Sequence, residues 1–280
     1  MVVQVLSAYT LTEMAGSSPS LILVTGGTGN LGHYVVQGLE AKGCRLRVIS
    51  RKQGQSSLNT EHVVGDLAKS IGIADAVAGA DVIIHCASAQ RGDDVVTRNL
   101  VNAALASSTK PHLVFVSIVG VSDIRFSYFQ TKLACEKIVM ESGLPWTLQR
   151  ATQFYDYLYK GTKQTSWLPI IPVPKDFKVQ PIDPSEVAVK LVELALGPPQ
   201  GRVPDIGGPA VTTWAEMTRQ YLRLAGRRRP IFEFLMPGTK SIRNGALLVA
   251  GAESRTAYGR TTWEQFLRKR PAAGPAPAEI

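Results

Sequence analysis

Short apolar runs alternate with amphipathic stretches through the first half of the chain. The apolar runs are typical of buried strands, and the amphipathic stretches predict helices. The predicted strands are 21–26, 45–50, 62–66, 81–88, 112–120 and 145–151; the predicted helices are 31–43, 70–80, 93–108 and one that begins near Tyr128. Strands that are apolar throughout and alternate with helices predict an α/β fold, a doubly wound parallel sheet (Rossmann) over residues 21–151.

The pattern loosens after Ala151. Residues 168–184 hold five prolines and predict loop and short strand. A helix start follows, with Asp183 as N-cap, Pro184 in the first turn and Glu186 three residues after the cap. We predict a helix to about Leu196, a short strand within 203–208, and helices over 213–225 and 262–268. Residues 152–270 are therefore expected to form mainly a small C-terminal substrate lobe, followed by a frayed tail at 271–280.

Composition narrows the class of protein. The chain has 280 residues, 45% of them hydrophobic, enough for one large domain with a small lobe. No apolar run reaches the ~18 residues of a membrane span. The first 20 residues contain no Lys or Arg, so we expect a disordered extension and no signal peptide, with Met14 as an alternative start. The three cysteines and four histidines are scattered, which predicts no metal site and no disulfides, and a reduced, cytoplasmic setting.

The formal charge of +9 is concentrated towards the C-terminus, where residues 226–230 read GRRRP and residues 268–271 read RKRP. Such clusters allow either nucleic-acid contact or a solvated basic face. They are short and lack interleaved aromatic residues, so the solvated face is favoured. Neither nucleic acid nor a membrane is expected as a partner.

A glycine-rich stretch, TGGTGNLG, lies between the first predicted strand and the first predicted helix. Glycines at 26, 29 and 32 would let the backbone approach a pyrophosphate, which the helix N-terminus then faces with free N–H groups. The strand–loop–helix context supports a dinucleotide site, with a glycine turn without ligand as the alternative. The candidate residues are Thr25, Gly26, Gly27, Thr28, Gly29, Asn30, Leu31 and Gly32.

The end of the second strand indicates which dinucleotide binds. An acidic residue there would hold the ribose 2′-hydroxyl of NAD(H), but the chain has Ser50, Arg51 and Lys52, which suit a 2′-phosphate. NADP(H) is therefore favoured over NAD(H). Further cofactor contacts are expected after the third and fourth strands, although each could equally be a turn cap: Asp66, Leu67, Cys86, Ala87 and Ser88.

With these residues, the chain resembles the NmrA-like group of atypical short-chain dehydrogenase/reductases over roughly residues 21–270. The motifs that carry the resemblance are VTGGTGNLG, the Gly65–Asp66 pair, FVSIVG at the fifth strand, Tyr128-x-x-x-Lys132, LPWTLQRATQF and QPIDPSEVA. The last two are typical of the NmrA-like group in particular.

The resemblance implies catalytic roles for three residues. Tyr128 exchanges a proton with a substrate oxygen, Ser117 orients that oxygen, and Lys132 binds the nicotinamide ribose and favours ionisation of the phenol. On the helix we expect Phe129, Leu133 and Met140 to face the core and Tyr128 and Lys132 to share another face.

A second Tyr-x-x-x-Lys pair, Tyr159 and Lys163, serves as a comparison. It contains Gly161 and follows no strand, so we expect it to lie in a loop.

Gln153 and Phe154 follow the sixth strand and are expected to flank the nicotinamide and the substrate. Aromatic residues are dense here, which indicates either an apolar or aromatic substrate pocket or simply the packing of the lobe. The implied function is an NADP(H)-dependent oxidoreductase that reduces a small carbonyl, quinone or enone-like molecule. The alternatives are a non-catalytic NADP(H)-binding redox sensor that acts through a protein partner, and an isomerase with tightly held cofactor.

Overall fold

A computed structural model describes residues 21–88, 92–251 and 257–270. The predicted N-terminal extension, with Met14, and the predicted frayed tail lie outside the described residues. No helix among the described residues is long and apolar enough to cross a membrane.

Seven parallel strands form the central sheet, in the order β3-β2-β1-β4-β5-β6-β9. The strands of the described chain are β1 Ile22–Thr25, β2 Leu46–Ser50, β3 Thr60–Val64, β4 Val82–His85, β5 His112–Ile118, β6 Trp146–Ala151, β7 Ile171–Pro174, β8 Lys178–Val179, β9 Gly201–Arg202, β10 Thr212–Thr213 and β11 Ile231–Phe234. The order reverses between β1 and β4, which is the switch point where such sheets bind ligands at their carboxyl edge.

Helices cover both faces of this sheet. They are α1 Gly32–Glu40, α2 Ile73–Val77, α3 Asp93–Ala106, α4 Ser127–Met140, α5 Tyr155–Thr165, α6 Pro184–Ala195, α7 Trp214–Leu224, α8 Lys240–Arg243 and α9 Trp263–Arg268. Alternate strand residues point to opposite faces. Ile22 and Val24 pack with α1 and α6, whereas Leu23 packs with α2, α3 and α4. The predicted doubly wound α/β fold is confirmed.

The second half of the chain contributes to both parts of the molecule. Helix α6 packs on α1, and β9 pairs with β6 at the edge of the central sheet. The Asp183 carboxylate accepts the Ser185 amide at 2.9 Å, as expected for the predicted N-cap. A separate apolar cluster gathers α5, α7, α9 and β7. That residues 152–270 form mainly a substrate lobe stays a proposal. Within this range, α6 and β9 pack on the central sheet and belong to the dinucleotide-binding part.

The loop predicted around Tyr159 and Lys163 is wrong, because both residues lie within helix α5. Gly161 weakened the helical pattern, but it is required by packing. A Cβ at Gly161 would lie 2.7 Å from Cζ2 of Trp214 on α7, so only glycine permits this approach of the two helices.

Two further expectations differ from the structure. On α4, Phe129 is buried as predicted, but Met140 is exposed and Lys132 is buried, contrary to the prediction, because Lys132 finds an ionic partner inside. The short strand predicted within 203–208 lies just before that range, as β9 at Gly201–Arg202. Within the predicted range, Ile206 forms only an isolated bridge to Ala151.

Candidate dinucleotide and catalytic site

Two of the three spaced glycines fit tightly where β1 turns into α1. Gly26 has a φ of +67°, and a Cβ on it would lie 2.6 Å from the Ala87 amide nitrogen. A Cβ on Gly32 would lie 2.1 Å from the Gly26 carbonyl oxygen. Gly29 differs, since it is exposed and a Cβ there would meet only the Gly26 carbonyl, at 3.1 Å. Two of the glycines are thus required by the fold, and the third faces outward.

The loop presents unpaired amides on its outer side. Within the described residues, the amides of Asn30, Leu31 and Gly32 donate to no protein acceptor, and the N-cap Leu31 has no side-chain cap. Free amides at the positive end of a helix dipole form an anion cradle. The residues of this loop therefore fit a pyrophosphate.

The side chain of Thr25 is turned into the protein. Its hydroxyl is 2.7 Å from Nδ1 of His85 and accepts the Ala87 amide at 3.3 Å. His85 also contacts the Thr97 hydroxyl at 3.2 Å, and burial lowers its pKa to about 3. His85 is therefore neutral at physiological pH and acts as a strut between β1, β4 and α3.

The carboxyl ends of β2, β3 and β4 surround this loop. Arg51 and Lys52 are exposed just after β2, where the Ser50 hydroxyl donates to the Lys52 carbonyl. Asp66 caps a turn, because its Oδ1 accepts the amides of Ala68 at 2.9 Å and Lys69 at 3.3 Å.

The residues that follow Asp66 and β4 are held mainly by the protein itself. The Leu67 carbonyl accepts from Nδ2 of Asn99 at 2.8 Å. Burial raises the pKa of the Cys86 thiol to about 12, so the thiol is protonated and neutral at physiological pH. Ser88 donates from its hydroxyl to Oδ2 of Asp93 at 3.0 Å.

Lys132 is fixed by an ion pair that sequence reasoning missed. Its Nζ lies 3.1 Å from Oδ2 of Asp93, at the start of α3, and 5.2 Å from the ring centroid of Phe115. Burial acts to lower the Lys132 pKa, but the negative charge of Asp93, followed by the influence of Tyr128, raises it above the ordinary value. The ammonium therefore stays charged although its residue is only 5% exposed.

The two other predicted catalytic residues lie near the end of β5 and in the first turn of α4. Tyr128 is one helical turn before Lys132 and influences its pKa, and Ser117 is the sixth residue of β5. The Ser117 hydroxyl is buried and has no hydrogen-bond partner among the described residues. Tyr128 is 38% exposed, with its ring edge-on to Phe129 at 5.8 Å. An unpartnered buried hydroxyl is a costly arrangement, and a ligand oxygen would satisfy it.

Gln153 offers a second unpartnered polar group near the end of β6. Its amide nitrogen and oxygen are both buried without partners in the described chain. Its backbone is fixed, because its carbonyl accepts the Ile182 amide at 2.9 Å. Phe154 is half-buried against the apolar cluster beneath α1 and α6.

A second ion pair anchors α4 to the sheet. Arg150 on β6 forms two hydrogen bonds with the buried Glu136, at 2.8 and 2.6 Å, which raises the Arg150 pKa. Sequence reasoning missed this pair too. The sequence does show the two acids, Asp93 at the start of α3 and Glu136 inside α4, but it does not show which basic residue each one pairs with.

Cavity size does not locate the site. A cleft of about 510 Å³ lies in the C-terminal part, lined by residues that include Tyr155, Met217 and Trp263. None of Ser117, Tyr128 and Lys132 lines it. The side chains of Ser117 and Gln153, unpartnered in the described chain and near the carboxyl ends of the neighbouring strands β5 and β6, are the better guide.

Residues 26–195, more than half of the chain, match the model of an NAD(P)H-binding family. The chain belongs to this family. Its predicted place in the NmrA-like group of atypical short-chain dehydrogenase/reductases is confirmed.

Relatives and solved structures cover most of the chain. Ceramide reductase of Caulobacter vibrioides is 26% identical over 261 residues, which are 85% of this chain and 78% of that protein. The NADPH complex of an NADPH-dependent quinone oxidoreductase from Escherichia coli has a TM-score of 0.74 at 16% identity and covers 89% of this chain and 99% of that one. Triphenylmethane reductase from Citrobacter sp. with NADP(H) has a TM-score of 0.69 at 17% identity and covers 89% and 99%. At these identities the solved structures establish the fold.

The loop geometry of this NAD(P)H-binding protein separates binding from folding. Gly29→Val places a branched side chain on the exposed side, so calorimetry should show dinucleotide binding lost while circular dichroism stays native. Gly32→Ala should instead destabilise the fold, by about 1–3 kcal/mol, since its Cβ overlaps backbone. Gly38→Ala in the same helix meets only Val192, at 3.3 Å, and is the control. Unchanged affinity in Gly29→Val would contradict the assignment.

The ion pair makes a separate prediction. Because Asp93 raises the Lys132 pKa, the stabilisation is present below the ordinary lysine pKa and is lost as pH rises through the folded-state value. Asp93→Asn should lower the free energy of unfolding by about 3–5 kcal/mol at neutral pH, because it strands a buried charge.

Urea denaturation tests this prediction. The deficit of Asp93→Asn should shrink at alkaline pH, where Lys132 discharges, and Asp93→Asn/Lys132→Met should recover most of the loss. A loss of unfolding free energy that is independent of pH and is not recovered in the double variant would show that Asp93 does not stabilise the fold through the charge of Lys132.

Proposed function

We propose that the protein is an NADPH-dependent oxidoreductase that reduces a small carbonyl, quinone or enone-like substrate. The observation that carries this proposal is the Ser117 hydroxyl near the end of β5, unpartnered within the described residues, together with Tyr128 and the charged Lys132 one turn apart on α4. An unpartnered hydroxyl, a part-exposed phenol and a charged ammonium suit proton transfer to a substrate oxygen.

The preference for NADP(H) rests on the exposed cations after β2. Arg51 and Lys52 are free to meet a 2′-phosphate, and no acid occurs from Arg51 to Thr60. The Escherichia coli and Citrobacter relatives, solved with NADPH and NADP(H), support the same choice.

Each residue of the site then has a defined task. The bound dinucleotide would supply the hydride. Tyr128 donates its phenolic proton to the substrate oxygen, and the Ser117 hydroxyl donates a hydrogen bond to that same oxygen. Lys132 would bind the nicotinamide ribose, with Asp93 keeping the ammonium charged and in place. Gln153 would offer its unpartnered amide to the nicotinamide or the substrate, and Phe154 would flank them.

The relatives support an apolar substrate. Three similar proteins are named ceramide reductase, quinone oxidoreductase and triphenylmethane reductase, after molecules that contain hydrocarbon chains or carbon rings. The aromatic residues after β6 suit such a molecule, although many of them pack the lobe, as Tyr155 does between Trp263 and Phe266. A cytoplasmic setting stays part of this proposal, supported by three free cysteines.

The ion pair also favours a second candidate function, a non-catalytic NADP(H)-binding redox sensor. The negative charge of Asp93 offsets part of the positive potential that Lys132 exerts at Tyr128, so the phenol is activated less than by a lone lysine. Steady oxidation of NADPH in the presence of quinone and carbonyl substrates separates an enzyme from a sensor.

Arg51→Ala tests the cofactor preference. Loss of one charge-assisted phosphate contact costs roughly 1.5–3 kcal/mol, so NADPH affinity should fall about ten- to a hundredfold. NADH affinity should change little, and Arg98→Ala, an exposed arginine on α3, should alter neither. Equal weakening of both dinucleotides in a fluorescence titration would refute NADP(H) preference.

Tyr128→Phe tests the proton donor, with Tyr159→Phe as the matched control. Tyr159 packs beside Tyr221 and Phe266 in the lobe. On a quinone or carbonyl that the wild type reduces, Tyr128→Phe should lower kcat by ~10²–10⁴ and leave NADPH affinity unchanged. Tyr159→Phe should be mild. Full turnover in Tyr128→Phe would remove the phenol from the mechanism.

A further inference from the structure

Two segments of the C-terminal half run side by side and carry exposed apolar side chains. Strands β7 and β11 pair in parallel, with Phe232 opposite Pro172. Along these segments, Trp167 is 67% exposed, Ile170 55%, Phe232 60% and Leu235 64%. Single exposed apolar residues are ordinary, but a contiguous group marks an interaction surface. These four residues with Pro172 are the apolar strip.

The pairing explains why the strip faces outward. Ile171 and Val173 of β7 are buried in the lobe core, so Ile170 and Pro172 lie on the other face of the strand. Phe232 shares that face through its register with Pro172. Trp167 and Leu235 lie at the two ends. No element among the described residues covers these side chains.

Arginines lie beside this strip. Arg228 and Arg229 are exposed and form no ion pair within the described chain. The Arg227 guanidinium donates to the carbonyl and hydroxyl of Ser166, at 3.3 and 3.1 Å, which ties the arginine run to the Trp167 end. At the other end, Lys175 offsets the exposed Asp176. The basic cluster therefore adjoins the apolar strip.

The strip also leads to the candidate catalytic residues. A Cβ on Gly238 would lie 3.0 Å from the ring of Phe126, so the segment after Leu235 approaches the N-cap residue of α4. Phe126 is itself 37% exposed and lies two residues before Tyr128. Apolar surface thus continues from β11 to the side of the part-exposed phenol.

We propose that the apolar strip and Arg228–Arg229 dock the protein on an anionic lipid bilayer. Exposed Trp, Phe, Ile and Leu enter the headgroup boundary, and neighbouring arginines pair with lipid phosphates. A second copy fits less well, because two-fold contact through this face would bring the arginine clusters together. The proposed binding is peripheral, without a membrane-spanning segment. It differs from the expectation that no membrane is a partner. The sequence did not indicate this surface, because only the fold brings residues 167–175 beside residues 228–235. The proposed binding does not depend on the proposed reaction.

Vesicle cosedimentation tests the proposal. The full chain should bind vesicles of phosphatidylcholine with phosphatidylglycerol, bind pure phosphatidylcholine weakly, and dissociate at high salt. Each arginine near an anionic surface contributes about fivefold, so Arg228→Glu/Arg229→Glu should weaken binding at least about thirtyfold. Phe232→Ser/Leu235→Ser should weaken it too. Tryptophan emission should shift to the blue on vesicles, and Trp167→Phe should reduce the shift.

Controls are available in the dinucleotide-binding part. Lys42→Glu/Arg98→Glu makes the same change in net charge, and Val189→Ser removes an apolar side chain that is 65% exposed; both should bind normally. Circular dichroism checks the fold of every variant. Absence of binding, or equal loss in the control pair, would overturn the proposal. So would a dimer, seen by analytical ultracentrifugation, that Phe232→Ser dissolves.

Discussion

A charged lysine, Lys132, buried one helical turn after the proposed proton donor Tyr128, imposes the main constraint on this molecule. An ammonium at this depth is tolerated only with an anionic partner, and Asp93 supplies one at 3.1 Å. The pair joins the first turn of α3 to α4 just beyond the carboxyl ends of β4 and β5. The neutral His85 strut and the Arg150–Glu136 pair then hold β1, β4, β6 and α4 around it.

The central sheet places the candidate functional residues along one edge. Every strand of the sheet runs parallel, so the glycine loop, the cations after β2, Ser117 and Gln153 all lie towards one edge. One end of that edge presents free amides and arginine, which suit phosphates. The other presents an unpartnered hydroxyl, an unpartnered amide and a part-exposed phenol, which suit a polar reacting centre. This arrangement is what the proposed NADPH-dependent reduction requires.

Local chemistry explains what could be predicted from sequence. The glycine spacing, the strand rhythm and the Asp183 cap act within a few residues, and the fold class and family that they indicated are confirmed. The partner of Lys132 could not be found this way, because an acid in a first helical turn looks like an ordinary dipole partner. Only the order β1-β4-β5 brings α3 beside α4. Gly161 misled for the same reason, since Trp214, which requires it, lies on another helix.

A crystal structure of the protein with NADPH tests the central claim most directly. The account predicts the pyrophosphate against the amides of Asn30–Gly32, the 2′-phosphate against Arg51 and Lys52, and the nicotinamide beside Ser117 and Tyr128. Lys132 should reach a nicotinamide ribose hydroxyl while its ion pair with Asp93 persists. A nicotinamide that lies away from Ser117 and Tyr128, or a Lys132 that touches Asp93 but no part of the dinucleotide, would contradict the account.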